Sequence, residues 1–340
     1  MNQKKLYFCT FFDYNYSTYG RVMIDSLRAK CQNFEIFVVC LDKAVYDFLT
    51  AKYSSACRLI NIEDVESEFP ELLLCKNNRS RAEYYFTLSP FIPLYLIKHF
   101  PSIDLITSMD ADLFFFRDPR VILNTLGKNS IGISGHNFRK ELRALEKYGR
   151  FNVSFQSFRN DDMGLTCLNL WKKQCTDWCY DRLEGHRFAD QKYLDTWPGD
   201  YHDILEYKNG YAPWNITNNI ALNGEGHVIV DGKPLVYYHF QGLKIYEKFK
   251  FSLGLTDYLV FSRSNIISVI YLPYLRKIAP YFSLKSETSV RKGNRIGNTN
   301  FFADIYVLSS GKLLGAVNLR FLKLFLLYFK VLFGGLFKKN

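Results

Sequence analysis

Apolar runs bounded by turn residues divide the first half of the chain into regular elements. Residues 6–12 (LYFCTFF) and 34–41 (FEIFVVCL) are short and almost continuously hydrophobic, the pattern of strands buried on both faces. Between them, residues 21–30 carry a helical stretch, and 58–62 reads as a third strand. Residues 81–100 are apolar and helix-length, but Pro90 and Pro93 must kink or interrupt them. Further strands are predicted at 103–109, 131–134 and 152–158, and 162–185 is helical in character. Residues 210–219 are loop-like. A strand pair follows at 228–230 and 235–240, with Asp231-Gly232 as a hairpin signal between them. Strands alternating with helices predict an α/β fold with a mostly parallel, helix-covered sheet. Beyond about residue 250 the pattern weakens, and 285–300 is polar and glycine-containing.

One break in this pattern carries chemistry. Asp110-Ala111-Asp112 lies between the apolar runs 103–109 and 113–116, at the end of a strand expected to be central. Two carboxylates there are costly unless a cation sits beside them. The usual occupant of such a pair is a divalent metal whose other ligands are phosphate oxygens. Ligands of parallel sheets bind beyond the carboxyl ends of the strands, and these aspartates stand at that edge.

Composition narrows the classes. With 340 residues, 48% hydrophobic and 17% aromatic, the chain is globular. The eight cysteines lack metal-binding spacing. Cys167, Cys175 and Cys179 would share a helix face and read as small buried hydrophobes. The start, Met1-Asn2-Gln3-Lys4-Lys5, shows no signal-peptide pattern, so a cytoplasmic protein with reduced thiols is expected. Of the net charge of +11, residues 285–340 hold +8.

Four further pieces follow the aspartate pair in order: Phe151-Asn152-Val153, Asp190-Gln191, Ala212-Pro213-Trp214-Asn215, and His239-Phe240-Gln241-Gly242-Leu243-Lys244. With this set, residues 6–245 resemble the GT-A-fold glycosyltransferases. The similarity is to family eight, the retaining enzymes that include lipopolysaccharide galactosyl- and glucosyltransferases. The resemblance implies a GT-A-like, Rossmann-type sheet. It also implies a manganese (or magnesium) ion held by Asp110, Asp112 and His239, with a partly buried structural histidine as the other reading of His239. Two carboxylates and an imidazole suit manganese better than magnesium.

The same resemblance implies roles for other residues. Thr10, Asp13 and Asn15 would meet the nucleoside, although Asp and Asn also suit a helix-capping loop. Arg81, Gly242 and Lys244 would meet the diphosphate. The family places two residues between that glycine and lysine where this chain has one, and a solvated arginine is the other reading of Arg81. Asn152 would touch the sugars. Asp190 and Gln191 would line the reaction centre, against a reading of Asp190 as a helix N-cap. Trp214 would offer a flat surface to a sugar ring and Asn215 an anchor for a hydroxyl, unless the tryptophan belongs to the core. A nucleotide-sugar donor, a cell-envelope glycan or glycolipid acceptor, and retention of anomeric configuration follow from the resemblance.

Residues 312–340 are rich in Leu, Phe and Val. On a helix, Lys312, Arg320, Lys323 and Lys330 would fall within an arc of about 80°. The segment has no uncharged run long enough to span a bilayer. It reads as a basic amphipathic helix on an anionic inner-leaflet surface, or as one packed on the catalytic domain. The expected organisation is a catalytic domain over 1–250, an extension over 251–311 and this tail. Two rival functions are weaker. A sugar nucleotidyltransferase needs a glycine-rich basic loop after the first strand, and residues 10–20 hold one glycine and no Lys or Arg. Nucleic-acid binding is not expected, because the basic excess sits in an apolar tail. A sugar-binding relative without activity has the same fold.

Overall fold

The structure, a computed structural model, describes residues 4–208, 210–247, 250–260, 264–281, 305–309 and 312–315. The chain divides into two compact units, Met1–His239 and Phe240–Asn340.

The first unit contains β1 (Leu6–Phe12), α1 (Ser17–Lys30), β2 (Phe34–Cys40), α2 (Lys43–Tyr53), β3 (Arg58–Asn61), α3 (Ile62–Glu68), α4 (Glu71–Asn78), α5 (Arg81–Thr87), α6 (Phe91–His99), β4 (Leu105–Met109), β5 (Leu113–Phe115), α7 (Arg120–Leu123), β6 (Ile131–Gly135), β7 (Phe151–Arg159), α8 (Asp162–Asp177), α9 (Trp197–Asp200), β8 (Ile204–Tyr207), β9 (Gly210–Tyr211), β10 (Ile220–Leu222), β11 (Val228–Val230), β12 (Lys233–Pro234) and β13 (Tyr237–His239). Seven strands make the main sheet in the order β3-β2-β1-β4-β7-β6-β8. Six run in one direction, and β7 alone is antiparallel to its neighbours.

Alternation along β1 explains the layers. Tyr7 and Cys9 join a core with Leu88, which follows α5, Phe91 of α6 and Trp171 of α8, while Phe8 and Phe12 join Met23, Ile24 and Leu27 of α1 on the other face. Both faces are covered, which is why these strands read as unbroken hydrophobic runs. Local signals set the helix ends. The Asp42 carboxylate accepts from Val45 N at 2.8 Å, and Ser80 with Glu83 forms a capping box at α5. The apolar stretch 81–100 is two helices, α5 and α6, with the break at Pro90; Pro93 instead lies inside the first turn of α6, where its missing N–H costs no helical hydrogen bond.

Two elements differ from the sequence reading. The helix expected over 162–185 ends at Asp177, where Arg79 from another segment donates to the carbonyls of Cys175 (2.7 Å) and Thr176 (2.6 Å). Cys179 therefore lies past the helix. All eight cysteines are buried, and burial pushes the thiols of Cys9, Cys31 and Cys40 up to about 12. The second difference concerns the hairpin. Asp231 (φ 51°) and Gly232 (φ 74°) make the predicted turn, but β11 pairs with β12. The strand bearing His239, β13, pairs instead with β5 and β9 in a separate small sheet.

The second unit contains β14 (Lys244–Glu247), β15 (Lys250–Ser252), α10 (Ser264–Ile266), α11 (Leu272–Ile278), β16 (Ile305–Ser309) and β17 (Lys312–Gly315). Its four strands form an antiparallel meander in chain order. The division at His239 differs from the expected boundary at 250. Lys312–Gly315 is a strand, where the sequence suggested the start of a helix. The rest of that expected helix, 316–340, and the polar segment 285–300 lie outside the described residues. Among the described residues no helix is long and apolar enough to cross a membrane.

Candidate metal centre and surrounding site

Strand register brings the candidate ligands together. Asp110 and Asp112 occupy the turn between β4 and β5, and the β5–β13 pairing sets His239 opposite Leu113, the neighbour of Asp112. His239 Nε2 lies 3.0 Å from Asp112 Oδ1 and 3.6 Å from Asp110 Oδ2. One ligand atom from each of the three falls within 4.8 Å of the others. His239 is buried with Nε2 turned to both carboxylates, and its Nδ1 has no hydrogen-bond partner among the described residues. A buried imidazole with an uncommitted nitrogen beside two carboxylates fits a divalent cation. Burial would lower the His239 pKa, but the charge of Asp112, aided by Asp110, outweighs it and raises the value above 6.5.

The histidine is wedged from behind. Trp214 is buried and meets the His239 ring edge-on at 5.3 Å; it also meets His136, whose ring stacks on Phe138 at 4.6 Å. Trp214 is thus a core tryptophan supporting the ligand, and its burial leaves no open face for a sugar ring. Asn215 is spent on its own turn, accepting from Ala212 N at 2.8 Å. Asn152 is likewise committed. It donates to Ser134 O (3.2 Å) and accepts from Ser154 N (3.1 Å) and Ser154 Oγ (2.5 Å). With Ser134, Ser154, Tyr237 and His239 it lines a small polar cavity of about 10 Å³. His136 was not singled out from the sequence. Burial, with His239 close by, pushes its pKa down to about 3, so it is neutral.

At the end of β1, Asp13 gathers three groups. Tyr85 Oη donates to its Oδ2 at 3.1 Å, Arg81 approaches the same oxygen at 3.8 Å, and Tyr16 N donates to Oδ1 at 3.3 Å. The last contact is the capping role that the sequence allowed. Asn15 is exposed, with Nδ2 at 3.5 Å from Asp13, and Thr10 is buried with a hydroxyl that has no partner among the described residues. Arg81 is largely exposed, at 73%.

Asp190 is buried and accepts from Ser89 Oγ at 2.6 Å, and its carbonyl accepts from Trp171 Nε1 at 3.0 Å. Its side chain makes no cap hydrogen bond, so it does not act as an N-cap. Gln191 is half-buried and donates to Tyr148 O at 3.0 Å. Tyr85 and Ser89 have no motif to reveal them, because their partners are 72 and 101 residues away in sequence. In the second unit, Gly242 adopts φ 82° and its backbone packs against Gly254, where a Cβ on Gly254 would meet Gly242 O at 2.7 Å. Lys244 opens β14 and is exposed.

No family model matches the chain. Two uncharacterized proteins of Bacillus subtilis (strain 168) are similar in sequence. YfnD is 29% identical over 259 residues, covering 74% of this chain and 82% of that protein. YfnF is 29% identical over 234 residues, covering 66% and 77%. Among solved structures, the chain is similar to the galactosyltransferase LgtC in complex with donor and acceptor sugar analogues (15% identity, TM-score 0.49, 83% of this chain and 98% of that one). It is also similar to mouse xyloside xylosyltransferase 1 (15%, TM-score 0.46, 70% and 98%). A third is the glycosyltransferase GlyE of Streptococcus pneumoniae TIGR4 (14%, TM-score 0.45, 84% and 66%).

Proposed function

We propose that this protein is a metal-dependent glycosyltransferase. It moves a hexose from a nucleoside-diphosphate sugar, with uridine as the base, to a cell-envelope glycan or glycolipid, with retention. The observation that carries the reading is the convergence of Asp110, Asp112 and His239 at the carboxyl edge of a parallel sheet. A manganese ion bound there (magnesium being the oxygen-preferring alternative) would neutralise the departing diphosphate. Arg81 adds positive charge beside Asp13, where Thr10 and Asn15 offer groups to a nucleoside. Gly242 and Lys244 are assigned to the diphosphate by motif order alone. Asp190, held by Ser89, and Gln191 face the sugar in this scheme. Asn152, Trp214 and Asn215 support the site through the contacts already described. Retention rests on the motif resemblance. Cytoplasmic location at the inner membrane surface rests on the composition of the tail, and nucleic acid is not a partner in this reading.

The test is a thermal-shift screen of nucleoside diphosphates and nucleotide sugars, with manganese or with chelator. Stabilisation by one diphosphate only in manganese is expected, because a ligand that binds the folded state alone raises its stability. No shift with any nucleotide under either condition refutes the proposal.

A further inference from the structure

The connection from β6 to β7 runs along the site and is unusually basic. It begins at His136, beside Trp214 and His239, and ends at Tyr148-Gly149, where Tyr148 O accepts from Gln191. Arg139 N donates to Trp214 O at 3.2 Å, and Lys192 Nζ donates to Glu146 O at 3.2 Å, so the segment is tied to both parts of the site. Between 139 and 150 it carries five Lys/Arg against Glu141 and Glu146. Lys140, Arg143, Lys147 and Arg150 are exposed. Elsewhere in this unit basic side chains commonly stand beside carboxylates, as Lys5 does with Glu35, Lys76 with Glu66 and Lys172 with Glu71. These four form no ion pair among the described residues. Lys140 and Arg143 lie three apart on a 3₁₀ turn, which places them on one face.

Strand order says which substrate meets them. Across the sheet the sequence is β1, β4, β7, β6, so the metal group at the end of β4 separates Asp13 from the β6–β7 connection. A nucleoside at β1 with its diphosphate at β4 leaves the far side, lined by Gln191 and this connection, for the acceptor. We infer that the acceptor is a polyanionic glycan, whose phosphate or carboxylate groups lie against Arg143, Lys147 and their neighbours. The inference rests on the transferase reading and adds the charge class of the acceptor. Exposed like charges concentrated beside a cleft attract and orient an oppositely charged ligand even where each contact is weak.

The test measures equilibrium binding of a glycerol-phosphate oligomer and of pentagalacturonate, each against neutral maltopentaose, to the full chain with manganese and UDP present. Wild type is compared with Arg143→Glu/Lys147→Glu. A second comparison is Lys30→Glu/Lys128→Glu, which makes the same change of net charge at exposed positions away from the connection. At least one anionic oligomer is expected to bind more tightly than maltopentaose, and the first variant to weaken it by about tenfold, with the second variant changing it less than about twofold. Preference for the phosphate or the carboxylate oligomer identifies the anion. Equal binding of neutral and anionic oligomers, or equal weakening by both variants, overturns the inference while UDP–manganese binding in the same samples leaves the transferase reading standing. No UDP–manganese binding overturns both.

Discussion

Gly210 is where the fold and the candidate metal centre are coupled most tightly, and replacing it by alanine tests that coupling. A Cβ at Gly210 would lie 2.2 Å from Tyr237 Oη and 2.3 Å from Cζ, far inside normal contact. Tyr237 cannot swing away cheaply. It is 3% exposed, its hydroxyl is 3.1 Å from Ser134 Oγ, and its ring stacks on Phe155 at 5.0 Å and 22°. The register Tyr237↔Gly210 shows that the clash falls between paired strands, so β13 must shift or the ring must move. Overpacking of this kind costs about 1–3 kcal/mol. His239 lies two residues further along the same strand and faces the same side, so a displacement that moves the tyrosine also moves the ligand. Gly210→Ala should therefore lower stability by that amount in urea titration and weaken manganese binding measured calorimetrically. Tyr237→Phe alone should cost about 1 kcal/mol for the lost hydrogen bond. Combined with Gly210→Ala, Tyr237→Ala should cost less than the sum of the two single changes, because truncating the ring removes the clash. Unchanged stability and unchanged manganese affinity in Gly210→Ala would refute the argument.

Four further outcomes can be measured, three from the site geometry and one from the composition of the tail. Asp112→Asn should abolish manganese-dependent stabilisation while the far-UV spectrum stays native; full metal response in the variant would remove Asp112 from the centre. Because Asp112 and Asp110 raise the His239 pKa, their interaction stabilises the metal-free fold fully below pH 6.5 and is lost as pH rises through the folded value. The stability gap between wild type and Asp112→Asn without metal should accordingly be widest in acid, and a gap that widens toward pH 8 contradicts the sign. Ser89→Ala removes the 2.6 Å hydrogen bond to buried Asp190 and should cost about 1–3 kcal/mol in stability, with turnover falling further than donor binding; equal loss of both would assign Ser89 a purely structural part. In the full chain, replacing Arg320, Lys323 and Lys330 by serine should reduce partitioning onto vesicles containing anionic lipid, as flotation would show, and unchanged partitioning would reject the membrane-surface reading of the tail.

The amino-acid sequence by itself determined what depends on neighbours in the chain. Continuous apolar runs marked the buried strands because both faces of the main sheet are covered, and Asp110-Ala111-Asp112 stood out because charge rarely ends such a run without a partner. Pro90 announced the break between α5 and α6, and Asp231-Gly232 announced its turn, since both act through local backbone geometry. Motif order also pointed to His239. Only the tertiary structure decided how distant segments share their polar groups. It set β13 against β5, bringing His239 to Asp112 across more than a hundred residues, and spent Asn152 and Asn215 on hydrogen bonds within the protein. It buried Trp214 as a wedge, ended α8 early by lending Arg79 to its last carbonyls, and placed Ser89 on Asp190. Such pairings arise from packing between elements far apart in sequence, where no periodicity records them, and the preference of a residue type for sugar or phosphate cannot reveal that its hydrogen bonds are already taken.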